Sequence, residues 1–202
     1  QLNVVTTKVT NMESLFAGTP GFENNISNWD VSNVTNMSRM FQGLRNYFRI
    51  DGDWDVSNVT DMENMFRNAD VFDNDISSWD VSNVTDMNSM FYGANSFNQP
   101  IGNWDVSNVT NMERMLSAMG AFNQPIGDWD VSNVTNMKFI LKSTGSFNQP
   151  IGDWDVSNVN DMLGMFYEAG FNQPIGDWDV SNVTTMNQMF RESAFNQPIG
   201  IW

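Results

Sequence analysis

The chain has 202 residues, 24 acidic against 9 basic, with no histidine, no cysteine, 41% hydrophobic and 13% aromatic residues. That apolar content suffices for a buried core, whereas a formal charge of −15 repels nucleic acid and anionic headgroups at long range, so neither a nucleic-acid partner nor direct membrane insertion is expected. Missing histidine and cysteine remove the commonest general base, the commonest metal ligand, thiol nucleophiles and disulfides, and no stretch reaches the roughly 18 consecutive apolar residues of a membrane span.

A first, incomplete copy of a repeat starts the chain, with Val4 in the phase that tryptophan takes later and Val9, Thr10, Met12, Leu15 and Phe16 following in register. Tryptophans then fall at 29, 54, 79, 104, 129, 154, 178 and 202, giving five spacings of 25 and two of 24. Around each one the chain spells I-x-x-W-x-V-x-x-V, as in Ile26, Trp29, Val31 and Val34. Trp and Val two apart share one strand face, so "WDVS" predicts a short half-buried strand with indole and Val inward.

The next segment changes period. In "TNMSRMF" and "TDMENMF" apolar residues fall at i, i+3 and i+4, which predicts a helix of about two turns with Thr at its N-cap. Thr10 with Glu13, Thr60 with Glu63 and Thr110 with Glu113 add capping boxes. Gly43, Gly93 or Ala118 then ends the turn, and "FNQP" runs extended because proline disfavours helix in the residue before it. A unit this small buries little alone, and stacking supplies the missing cover. The expected architecture is an α/β repeat solenoid, residues 1–202 as one domain of about eight repeats, with one short parallel strand and one short helix per 24–25 residues and both ends cut within a repeat.

The I-x-x-W-x-V-x-x-V line resembles the leucine-rich repeat, and "WDVSNVTNM...MF...FNQPI" resembles the repeat of BspA-like bacterial surface proteins and of the related mycoplasma surface-lipoprotein type. The resemblance extends over essentially the whole chain. It implies a right-handed solenoid, an extracellular or cell-surface setting, and a role in adhesion. Asn33, Asn58 and Asn83 stand one position earlier than the Asn of the leucine-rich-repeat consensus.

Candidate sites come from columns of equivalent residues. Asp30, Asp55, Asp80, Asp105, Asp130, Asp155 and Asp179 each follow a tryptophan, so stacking puts one carboxylate per repeat on the solvent side. Asp53, Asp128, Asp153 and Asp177 precede the tryptophan and give "DWD". The column reads either as a solvated face or as a ladder for a cationic partner; calcium needs oxygens converging from several directions, which a flat column does not offer. The sequon "NVT" recurs at Asn33, Asn58, Asn83, Asn108, Asn133 and Asn182, acceptors for glycans only in a eukaryotic secretory setting. Arg45, Tyr47 and Arg49 in "QGLRNYFRIDGDW" place basic and aromatic residues on an acidic chain, types enriched at binding hot spots. Phe139 and Leu163 occupy positions that are polar elsewhere and would meet on adjacent repeats as a small apolar patch.

An enzyme needs a singular constellation, whereas nearly every carboxylate and hydroxyl here is a copy of its neighbour. No catalytic residue, metal or cofactor is therefore expected. The sequence reads as a non-catalytic extracellular or cell-surface module binding a protein or glycan, with self-association into a surface fibre, sheath or lattice as the alternative.

Overall fold

In the computed structural model, which describes residues 6–19, 21–50, 54–200 and 202, successive repeats are stacked coils joined in parallel register. Val4 and Asp53 lie outside the described residues. One isolated parallel bridge marks most junctions, in the chain Asn11, Asn36, Asp61, Asp86, Asn111, Asn136, Asp161 and Thr185. Among the described residues there is no helix and no strand longer than such a bridge. The α/β solenoid with a strand and a helix in each repeat is therefore wrong, and with it the leucine-rich-repeat reading of the coil.

The reason lies in where the amides go. A strand at "WDVS" is pre-empted by local bonds. The Oδ1 atom of Asp55 accepts from the Ser57 amide at 3.1 Å, an Asx turn, and the Val59 amide closes a second turn on the Val56 carbonyl at 2.8 Å. Short polar side chains compete with ladders in this way.

The segment expected to be helical instead forms tandem turns. The amides of Met37, Arg39, Phe41 and Gly43 leave the coil and donate to the carbonyls of Asp61, Glu63, Met65 and Arg67 of the next coil at 2.7–3.0 Å. Between them Met40, Gln42 and Leu44 close i−3 turns on Met37, Arg39 and Phe41. This alternation needs left-handed backbone at two places in each coil. Arg39 and Gly43 have φ of 58° and 74°, and the pattern recurs at Asn64 and Asn68, Ser89 and Gly93, Arg114 and Ala118, Phe139 and Ser143, Gly164 and Glu168. For a non-glycine residue that conformation costs on the order of 1 kcal/mol. A two-turn helix would orphan four amides and four carbonyls; the tandem turns hand those groups to neighbouring coils, which offsets the strain.

Thr is not an N-cap. Its amide donates to the preceding coil's Thr carbonyl, as Thr60 to Thr35 at 2.9 Å, and its hydroxyl reaches the same oxygen at 3.3 Å. The capping boxes fail for the same reason: the Glu13, Glu63 and Glu113 amides are taken by Oδ1 of Asn11, Asp61 and Asn111.

The interior is built of aromatic columns. Indoles stack in parallel, Trp54 on Trp79 at 6.2 Å and Trp154 on Trp178 at 6.5 Å. Two phenylalanine columns do likewise, through Phe41, Phe66 and Phe91 and through Phe72, Phe97, Phe122 and Phe147. Met37, Met40 and their equivalents as far as Met162 and Met165 are fully buried between them, whereas Leu15 in the first coil, expected inward, is 48% exposed. The inward phase expected of the tryptophans holds from Trp54 to Trp178, each 3–4% exposed. Most find a partner for the indole N–H, as Trp104 donates to the Ile76 carbonyl one coil back at 3.2 Å.

Extended "FNQP" segments close each coil with a side-chain ladder. Oδ1 of Asn98 accepts from the Asn123 amide at 3.0 Å and from Gln124 Nε2 at 3.1 Å. Gly102 follows because the Pro125 carbonyl of the next coil would sit 2.1 Å from any Cβ there. Replacing Trp104 with Ala removes a fully buried indole and one inter-coil bond, and we expect a loss of about 3–5 kcal/mol in denaturant-induced unfolding; a loss below about 1 kcal/mol would contradict the inward packing.

Candidate functional site

The columns leave the coil with two outer faces. Rings from the tryptophan and phenylalanine walls meet across the core, Phe66 against Trp79 at 6.1 Å, Phe91 against Trp104 at 6.2 Å and Phe166 against Trp178 at 6.3 Å. Each ring is followed in sequence by an outward residue: Arg67, Tyr92 and Tyr167 on one side, Asp80, Asp105 and Asp179 on the other. The two sets therefore line opposite faces.

On the tryptophan side the predicted aspartate column is present. Asp30, Asp55, Asp80, Asp105, Asp130, Asp155 and Asp179 each use Oδ1 to accept from the Ser amide two residues on, at 3.0–3.1 Å. In Asp30, Asp55 and Asp105 the Ser hydroxyl donates to the same oxygen at 2.6 Å. The Ser hydroxyl and then the Ser amide hold the carboxyls of Asp30, Asp80, Asp105, Asp130 and Asp179 below the usual aspartate value, and the neighbouring carboxylate raises Asp105 and Asp130 only in part. Among the described residues no Lys or Arg pairs with this column, and no three acidic side chains converge as metal ligands would.

Beside it runs a ladder of the sequon asparagines. Asn33, Asn58, Asn83, Asn108, Asn133 and Asn182 are exposed, and each donates through Nδ2 to a carbonyl of the preceding coil at 2.7–2.9 Å. Asn158, whose sequon is broken at Asn160, does the same at 2.8 Å. The asparagine is thus in place for an inter-coil bond whether or not the sequon is complete, a structural use independent of glycans.

On the phenylalanine side the tandem turns form a ridge at positions nine, ten and thirteen after the tryptophan, where the long side chains reach outward and Ser38, Asn64, Ser89 and Ser117 are buried. Of the 9 basic residues, Arg39, Arg67, Arg114, Lys138, Lys142 and Arg191 stand there, leaving Lys8, Arg45 and Arg49 elsewhere. They interleave with rings. The Arg67 guanidinium lies 5.0 Å from the centroid of Tyr92, and Tyr167 is approached by Lys142 at 4.9 Å and Arg191 at 5.5 Å. Phe139 receives Arg114 at 5.1 Å, Lys142 at 5.3 Å and Lys138 at 6.0 Å. A cation over a ring face gains roughly 0.5–1 kcal/mol at such partly exposed sites.

The expected pairing of Phe139 with Leu163 takes a different form. The Phe139 amide donates to the Leu163 carbonyl at 2.8 Å, while its ring lies over Gly164, where a Cβ would sit 2.2 Å from Cε1. The Phe139 ring is thus bordered by cations as well as by the Leu163–Gly164 turn. Sequence reasoning missed the cations, although Arg67, Tyr92, Lys142, Tyr167 and Arg191 all share one phase, thirteen after tryptophan.

Arg45, Tyr47 and Arg49 belong to neither face. Arg45 pairs with Asp70 at 3.7 Å, the Arg49 carbonyl accepts from the Ile26 amide at 3.0 Å, and Tyr47 is 64% exposed. Tyr47 and Val71 both immediately precede stacked core phenylalanines, Phe48 and Phe72, so they stand next to each other as exposed apolar residues.

Two outcomes test this account of the aspartates. Asp105→Asn keeps an Oδ1 acceptor but not the charge that the Ser107 donors favour, so it should lose only part of the stability that Asp105→Ala loses, about 1 kcal/mol in chemical unfolding, by removing the acceptor. Because the folded carboxyls titrate below their unfolded value of 3.8, their contribution is complete above that value. It is lost as pH falls through the depressed folded values, so thermal unfolding followed against pH should show stability dropping there and not near neutrality.

No curated protein and no solved structure matches the chain. A family described as Mycoplasma protein of unknown function, DUF285, matches residues 2–51, 46–151 and 119–202, which together take in nearly every coil and both faces described above. The coils that carry the aspartate column and the cation ridge are thus copies of that family's repeat, and the chain belongs to the DUF285 family.

Proposed function

We propose that the chain is a non-catalytic binding module displayed outside the cell, and that it engages its partner through the tandem-turn ridge. One observation carries this reading. Positions that build the coil are repeated almost unchanged, whereas the outward ridge positions differ from coil to coil, running through Glu63 and Arg67, then Asn88 and Tyr92, then Lys138, Phe139 and Lys142. Residues that the fold does not dictate are free to carry recognition, and these are rich in Arg and Tyr, the types that anchor interfaces.

The grooves among the described residues support a non-catalytic reading. An open groove of ≈ 420 Å³ lined by Pro100, Gly102, Trp104, Pro125 and Asp128 recurs at Pro174, Gly176, Asp177 and Pro198. A repeated groove is a product of the coil, not a singular cleft. Among the described residues no helix is long and apolar enough to cross a membrane.

Screening the immobilised chain against protein and glycan arrays, with Lys142→Gln and Tyr167→Ala alongside, tests the ridge. Each substitution should weaken the captured ligand roughly tenfold or more. Binding that survives both and is lost on neutralising the aspartate column would place recognition on the opposite face.

A further inference from the structure

We infer that the partner of the ridge is a second copy of this chain, docked through its aspartate column, so that copies associate side by side. The inference rests on the ridge being the binding face and adds the occupant.

Charge complementarity is built into opposite sides of one coil. The ridge carries Arg67, Arg114, Lys138, Lys142 and Arg191, and among the described residues Lys142 has no carboxylate partner, its ammonium resting instead between the rings of Phe139 and Tyr167. The column carries one carboxylate per coil from Asp30 to Asp179, with no cation on it. Each of those carboxylates spends Oδ1 on its own Ser and leaves Oδ2 without a bond among the described residues. Arg114, Lys138 and Arg191 are already paired with Glu113 and Glu192, so the charge left for a partner among the described residues is that of Arg67 and Lys142 on the ridge and of the Oδ2 atoms on the column, and unpaired charge is what an interface consumes.

Pitch supplies the second argument. Ridge and column hang on the same inter-coil ladder, so both repeat at the strand spacing of about 4.8 Å. A second copy lying alongside presents its carboxylates at the pitch of the ridge positions, where cations stand at Arg39, Arg67, Arg114, Lys138, Lys142 and Arg191 and rings at Tyr92 and Tyr167. No other acidic surface is bound to share that period. The ridge also contains Glu113, which binds Lys138 at 3.5 Å, and Glu192, which binds Arg191 at 3.3 Å. A densely anionic polymer would meet those carboxylates, whereas the column presents one charge per coil separated by Ser, Asn and Thr. The overall −15 opposes approach at a distance, but screening limits that to about 8 Å at physiological ionic strength.

Because the two patches differ and lie on opposite faces, the contact is heterologous and does not close, which yields rows of parallel copies.

Sedimentation velocity over a concentration series tests this directly. The wild-type chain should associate at physiological salt and dissociate near 1 M, where screening shortens to about 3 Å. Lys142→Gln should weaken association roughly tenfold, and so should the triple change Asp105→Asn, Asp130→Asn, Asp155→Asn. The asparagines keep an Oδ1 acceptor for every Asx turn, so a cooperative unfolding transition will show that the coil is intact. A chain that stays monomeric at its highest attainable concentration overturns the proposal. So does association indifferent to both sets of substitutions. A monomer that captures an array ligand through Lys142 would keep the ridge as binding face while removing the second copy from it.

Discussion

Each coil depends on amides it gives away. Met37, Arg39, Phe41 and Gly43 donate to the next coil and not to their own segment, so no repeat satisfies its backbone alone. The left-handed residues follow from this, since alternate peptides must point along the stack while those between them close turns. Aromatic columns follow as well. Once the ladder fixes each coil over the next, equivalent rings superpose at 5.5–6.5 Å, beside equally buried columns of Ile, Val and Met, and a close-packed interior results.

The same superposition governs the outside. Where the ridge carries Tyr92, Phe139 or Tyr167, the residues stacked against it are Arg67, Arg114, Lys142 and Arg191, so the interior's ring-on-ring order continues at the surface as ring-on-cation. A large acidic excess is tolerated because the carboxylates are spread one per coil and anchored by Ser 32, 57, 82 and their equivalents, while the few cations are gathered on the other side. Two faces of different chemistry thus share one inter-coil ladder. The aspartate column is alike from coil to coil, whereas the ridge is not: Phe139 is the ring with three cations around it.

Burial was legible from the sequence because it follows phase: Trp104, Val106, Val109 and Met112 were expected inside, and they are. The helix was not, although the signal looked strong. Apolar residues at i, i+3 and i+4 suit an α-helix, but consecutive i−3 turns bring Met37, Met40 and Phe41 to one side just as well. The evidence against a helix sat in two positions, where Gly18, Gly43, Asn64, Asn68 and Gly93 favour the left-handed region. Arg39, Arg114 and Phe139 occupy the same place with no such preference, which hid the pattern.

From the sequence alone came the period, the inward phase of the tryptophans and methionines and the aspartate column. These depend only on which residue types recur and how far apart. Direction was settled by tertiary structure: whether an amide turns back on its own segment or reaches the next coil depends on what stands 24 residues later, and a local pattern carries no record of that. For the same reason the ridge of cations and rings emerged only once the coils were stacked, since Lys142, Tyr167 and Arg191 become neighbours through the ladder and not through the chain.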